Sequence, residues 1–145
     1  MNNEPKTLLP LIVADIFELA GRFRDDGEEI ARTVGQTQAR WQVMSAASAD
    51  PRTVPQIARR LGVSRQNVQR IADLLVADGA ATFEPNTDHR NSPFLVLNRR
   101  GQAALADITK AAAASHARIA RRLGAADLAP LHRSLRRLIE ATSSD

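Results

Sequence analysis

The chain has 145 residues, 43% of them hydrophobic and 25% charged, with a net charge of +4 and no cysteine. That length fits one compact domain with a real core, and the missing cysteine excludes disulfides, thiol catalysis, cysteine zinc sites and thiol-based redox sensing. No apolar run approaches membrane-spanning length, and MNNEPKTLLPLIVADIF lacks a basic lead and a small-residue cleavage site, so a cytoplasmic protein with no membrane role is expected.

Where the charge sits says more than its total. Residues 1–51 carry five basic and eight acidic side chains, residues 52–100 eight and four, and residues 101–145 seven and four. An acidic arm thus precedes a basic middle, the segment suited to a polyanion. Of the twenty basic residues only Lys6 and Lys110 are lysine. Arginine favours planar, bidentate contacts with phosphate and guanine, although a compositional bias of the genome accounts for the preference equally well.

In chain order, Leu8, Leu11/Ile12, Ile16, Leu19 and Phe23 recur at three- and four-residue spacing and predict a long helix from near Thr7 to near Gly35. Thr37 is the expected N-cap of a second helix that holds Trp41, Val43 and Met44 and stops before Asp50-Pro51. Thr53-Val54-Pro55-Gln56 has capping-box spacing and opens a short helix ending at Leu61. Gly62 is its left-handed terminator, Val63 an apolar plug, and Ser64 the N-cap of the next helix, Arg65 to about Asp78. On that helix Val68, Ile71, Ala72 and Leu75 share one side, Gln66, Arg70, Asp73 and Ala77 the other, with Asn67 and Gln69 on the shoulders. Gly79 closes it.

The period then changes. Residues 80–84 and 94–98 read as two short strands around the polar loop 85–93, and a hairpin directly after a helix-turn-helix is a wing. Asn98 caps a further helix to about Leu123, Gly124 breaks it, and a last helix follows. Leu128, Leu131, Leu135 and Leu138 there have the spacing of a helix–helix seam. The expected fold is mainly α with a small β-hairpin wing in a single domain over 1–145. A winged helix-turn-helix occupies about 37–100, between terminal helices at about 7–34 and 99–143.

The chemistry concentrates at the start of the second helix of the helix-turn-helix. Arg65, Gln66, Asn67, Gln69 and Arg70 carry the groups that read base edges in the major groove: arginine pairs with guanine, and asparagine or glutamine with adenine. Taken alone, such a polar face is what any solvated helix shows. The Gly62–Ser64 turn before it and the hairpin after it favour double-stranded DNA. Arg90 at the hairpin tip suits the minor groove, where negative potential concentrates. Asp88 either holds the loop, orients that guanidinium, or forms with it a surface ion pair of small consequence. Arg52, Arg59, Arg99 and Arg100 are expected phosphate neighbours.

Several stretches resemble the MarR family of bacterial regulators. They are Trp41-Gln42-Val43-Met44, Thr53 through Gln66, Leu74-Leu75-Val76-Ala77-Asp78-Gly79, Asp88-His89-Arg90 and Leu97-Asn98-Arg99-Arg100-Gly101. The likeness spans nearly the whole chain in the right order, and the Asp-x-Arg wing is its most distinctive part. It implies a homodimer built from the first helix and the last two, acting on a pseudo-palindromic operator. Thr53, Ser64, Arg65, Gln66, Asn67, Gln69, Arg70, Asp88 and Arg90 would be its DNA-binding residues. It also implies a repressor released by a small aromatic or phenolic effector, for which Phe17, Phe23, Trp41 and Met44 could line a pocket, although apolar residues at helical spacing more often form core. Asn91 and Pro93 depart from the pattern and could shorten or bend the second strand.

No cofactor and no metal are expected. His89, His116 and His132 are too scattered to suggest a zinc site. An enzyme finds no support in a chain without a glycine-rich phosphate loop or a nucleophile motif. Two rivals remain: a winged-helix scaffold for protein interaction without a DNA role, and a nonspecific architectural DNA binder. For the dimer, the terminal helices offer more apolar face than a three-helix lobe covers, and their packing on each other within one chain is the competing outcome.

Overall fold

The structure, a computed structural model, describes residues 4–143. Its elements run α1 (Pro5–Arg32), α2 (Gln38–Ser48), β1 (Arg52–Thr53), α3 (Val54–Leu61), α4 (Arg65–Ala77), β2 (Ala81–Glu84), β3 (Phe94–Leu97), α5 (Arg99–Leu123) and α6 (Ala125–Thr142). The fold is mostly helical with one small antiparallel sheet, as expected. Among the described residues no helix is long and apolar enough to cross a membrane. The chain forms two compact units, the first ending at Ala111 and the second beginning at Ala112.

Local chemistry sets the boundaries in the first unit. The α1 helix begins two residues before the expected Thr7, because Pro5 is preorganised for a first turn and Thr7 donates its hydroxyl back to the Glu4 carbonyl at 2.8 Å. Thr37 accepts from the Arg40 amide at 3.1 Å and caps α2. Thr53 accepts from the Gln56 amide at 3.3 Å while the Gln56 side chain accepts from the Thr53 amide at 2.9 Å, a complete capping box. Thr53→Ala removes half of that reciprocal pair at a buried position. It is expected to cost about 1–2 kcal/mol, read from the urea midpoint at unchanged slope.

Gly62 ends α3 at φ 66°, where a side chain would be strained, and Ser64 restarts the helix by accepting from the Asn67 amide at 3.1 Å. Val63 is not the buried plug expected of it, being 43% exposed. Its amide donates to the Ala58 carbonyl in the left-handed turn, and its side chain rims an open cavity instead of filling a gap.

The core gathers the apolar sides of α2, α3 and α4, the sheet and the start of α5. Met44, Ile57, Val68, Leu75, Leu95 and Ile108 are its largest fully buried side chains, each contributing about 1.5–3 kcal/mol on burial. Val68, Ile71, Ala72 and Leu75 all point inward, as their spacing on α4 demands. The sheet holds one strand more than the sequence suggests. β1 pairs antiparallel with β3, Arg52 opposite Leu95 and Thr53 opposite Phe94, giving the order β1-β3-β2. Two residues are too few for an alternating pattern, so β1 exists only because α2 and α3 bring it to the hairpin's free edge.

The α1 helix buries only Gly27 and Ala31, and leaves Leu11, Ile16, Leu19 and Phe23 exposed. In the second unit α6 buries no residue, and Leu128, Leu131 and Leu135 of its expected seam are exposed together with Ile139.

Candidate nucleic-acid interface

The capping of α4 by Ser64 decides which side chains stand free at its start. Arg65, Gln66, Asn67, Gln69 and Arg70 are all exposed. Three of them are held along the helix surface: Arg70 donates to Asn67 Oδ1 at 3.0 Å, and Gln69 Nε2 donates to Asp73 Oδ1 at 2.9 Å. These i,i+3 and i,i+4 pairs limit rotamer freedom before any partner arrives, and each is weak enough to be exchanged for a base-edge contact.

The wing stands beside this helix. A cleft of about 280 Å³ is walled on one side by Arg65, Gln66 and Gln69, and on the other by Phe83, Asn91 and Ser92. Arg90 and Asp88 are exposed in the loop between β2 and β3. Among the described residues ion pairs join Arg22 to Glu18, Arg32 to Glu28 and Arg40 to Asp78, and none of these links Asp88 with Arg90. The Asp88 amide instead donates to Asn86 Oδ1 at 3.2 Å, while Asn86 Nδ2 donates to the Ser92 carbonyl at 3.1 Å.

Asn86 is 7% exposed and ties both limbs of the loop, so it shapes the wing more than Asp88 does. Sequence reasoning missed it. The available signal was Asn-Thr-Asp after a strand, since asparagine bonds the backbone two residues on and makes a turn of its own. Thr53 is 5% exposed and engaged in the capping box of α3. Arg52, expected near phosphate, pairs with Leu95 at the sheet edge with its Nε buried and without a partner.

The four residues considered for an effector pocket differ in their surroundings. Met44 is fully buried and Phe17 is 73% exposed. Phe23 lines a cavity of about 300 Å³ between α1, α2 and α4, with Gln42, Val43, Val63, Asn67 and Ile71 among its walls. Trp41 is half-buried beside Gly27. Among the described residues no group of three or more histidine, aspartate or glutamate side chains is placed to hold a metal ion.

Residues 34–90, from the turn after α1 to the wing tip, match the model of the MarR family. The chain belongs to that family. Its similarity to full-length proteins is closer still: Rv2011c of Mycobacterium tuberculosis and Mb2034c of Mycobacterium bovis, both named as uncharacterized proteins, are 48% identical to it over 134 residues. These span 92% of this chain and 94% of theirs. Among solved structures, the transcriptional repressor CouR bound to a 23-mer DNA duplex is 26% identical at a TM-score of 0.73, over 96% of this chain and 99% of that one. A MarR family regulator from Silicibacter pomeroyi shares the fold at a TM-score of 0.81 and 19% identity, over 97% and 95% of the two chains. CouR from Rhodococcus jostii bound to p-coumaroyl-CoA shares it at 0.74 and 12% identity, over 99% and 100%. In MarR terms α3 and α4 are the helix-turn-helix and β2–β3 the wing.

Proposed function

We propose that this chain is a sequence-specific regulator of transcription that binds double-stranded DNA as a homodimer on a pseudo-palindromic operator. The observation that carries the reading is the juxtaposition across one cleft of the exposed start of α4 and the wing, which suits simultaneous contact with a major groove and the adjoining minor groove. Arg65, Gln66, Asn67, Gln69 and Arg70 read bases or neighbouring phosphates, and Arg90 enters the minor groove. Ser64 places these groups by capping their helix. The duplex bound by CouR, 26% identical to this chain, supports the same assignment.

The exposed apolar rows of α1 and α6 support the homodimer, since faces of this kind normally find a partner. Two-fold symmetry would set two recognition helices roughly 34–36 Å apart, one turn of the duplex. Relief by a small effector follows from the family alone, and the cavity beside Phe23 and Asn67 is the place we assign to it. Solved relatives are regulators of transcription, and we assign this chain no catalytic role.

The decisive experiment selects bound sequences from a random duplex library near physiological salt, with wild type and Arg90→Ala in parallel. Enrichment of a two-fold symmetric site is the expected result, with the substitution weakening that site about tenfold or more, the loss of one well-placed contact. Binding without enrichment, falling steeply with salt, would mean an architectural binder. No binding at all would leave the protein-interaction scaffold. Sedimentation of the free protein reads the dimer independently.

A further inference from the structure

Asn98 stands between β3 and α5 and uses both ends of its amide. Its Oδ1 accepts from the Gly101 amide at 3.0 Å, which caps α5. Its Nδ2 donates to the Gly79 carbonyl at 2.7 Å, nineteen residues away at the end of α4. The Asn98 amide also donates to the Ala80 carbonyl, at 3.1 Å, where the wing begins. A cap needs only an acceptor, and serine, threonine or aspartate would serve. The second bond needs a donor atom separate from the capping oxygen, which the asparagine amide supplies and a single hydroxyl or an ionised carboxylate does not. On its other flank the same helix end is held by the ion pair of Asp78 with Arg40.

From this geometry we propose that Asn98 is a positioning residue for DNA discrimination, setting the angle between the recognition helix and the wing. The inference rests on the DNA-binding reading above. A helix in one groove and an arginine in the next engage together only at one angle between them, and slack at their shared root turns joint contact into two partial ones. Asn98 touches no base and no phosphate in this account; it acts through the wing and hence through Arg90.

Asn98→Ser and Asn98→Asp test this, because both keep an acceptor for the Gly101 amide and neither keeps the amide donor for Gly79. The affinities of wild type and both variants for the selected operator and for a random duplex are measured, with and without Arg90→Ala, alongside the melting temperature. The expected result is a loss of about three- to tenfold on the operator, with random-duplex affinity unchanged within about twofold. The Arg90→Ala penalty should shrink in either Asn98 background, since a wing already misplaced has less to lose. An unchanged operator-to-random ratio in both variants would overturn the proposal. So would equal Arg90→Ala penalties in all backgrounds, or losses on both duplexes that simply follow the melting temperature. Failure of the wild type to prefer any site would instead remove the sequence-specific DNA-binding reading on which the proposal rests, a result seen before any Asn98 variant is compared.

Discussion

Gly101→Ala is expected to destabilise the fold by about 3 kcal/mol, the upper end of overpacking costs, and to lower its melting temperature by about 10 °C. Two effects compete at this position. Alanine is the better helix former and would gain about 1 kcal/mol inside α5. A Cβ at Gly101, however, would stand 2.2 Å from the Ala80 carbonyl oxygen and 3.2 Å from its carbon. That obstacle is backbone, tied by the Asn98 amide and by the ladder that pairs Ala81 with Leu97, so it cannot swing aside like a side chain. The clash wins. Gly21→Ala is the control of opposite sign: α1 leaves open space there, with only the flexible Arg24 guanidinium at 3.9 Å, so a gain of about 0.5–1 kcal/mol is expected. Thermal melts of the two variants beside wild type check both signs. A Gly101→Ala protein as stable as wild type would refute the close packing of α5 on the wing root.

Met44→Ala is expected to cost about 3 kcal/mol, within the range of about 2–5 for a fully buried methionine. Met44 has no exposed surface and packs in the cluster that includes Ile57, Leu75 and Leu95. A side chain that mainly lined an effector site would be cheap to truncate and costly for effector affinity. The burial of Met44 puts the larger effect on stability. Denaturant titration of Met44→Ala measures it, and a loss below about 1 kcal/mol would contradict a core role. Phe17→Ala is the informative partner, because a 73% exposed ring contributes little to the single chain. If the chain pairs as proposed, any marked effect of Phe17→Ala should appear in the monomer–dimer equilibrium, where an apolar side chain at an interface has its weight.

The largest difference between what was read and what was found concerns cover. The stripe Leu8, Leu11, Ile16, Leu19 and Phe23 is legible as apolar, yet periodicity cannot say what covers it, and the folded chain leaves it exposed. Trp41 and Met44 sit three residues apart on α2 and look alike as candidates, but one is half-buried and the other fully buried. The cavity near Phe23 draws its walls from residues as distant as Ala20 and Ile71, and nothing local marks them as neighbours.

By itself the sequence determined the features whose physics is short-ranged. The caps at Thr37, Thr53, Ser64 and Asn98 bond to amides three residues on, and the positive φ of Gly62, Gly79 and Gly124 falls where helices must end. These interactions close within one turn, so residue type and spacing suffice to place them. Only the tertiary structure decided the pairing of β1 with β3, the bond from Asn98 to Gly79, the ion pair of Arg40 with Asp78 thirty-eight residues away, and the approach of Gly101 to Ala80. Each joins groups whose separation along the chain leaves no periodic trace, and each depends on the common core that holds their elements together.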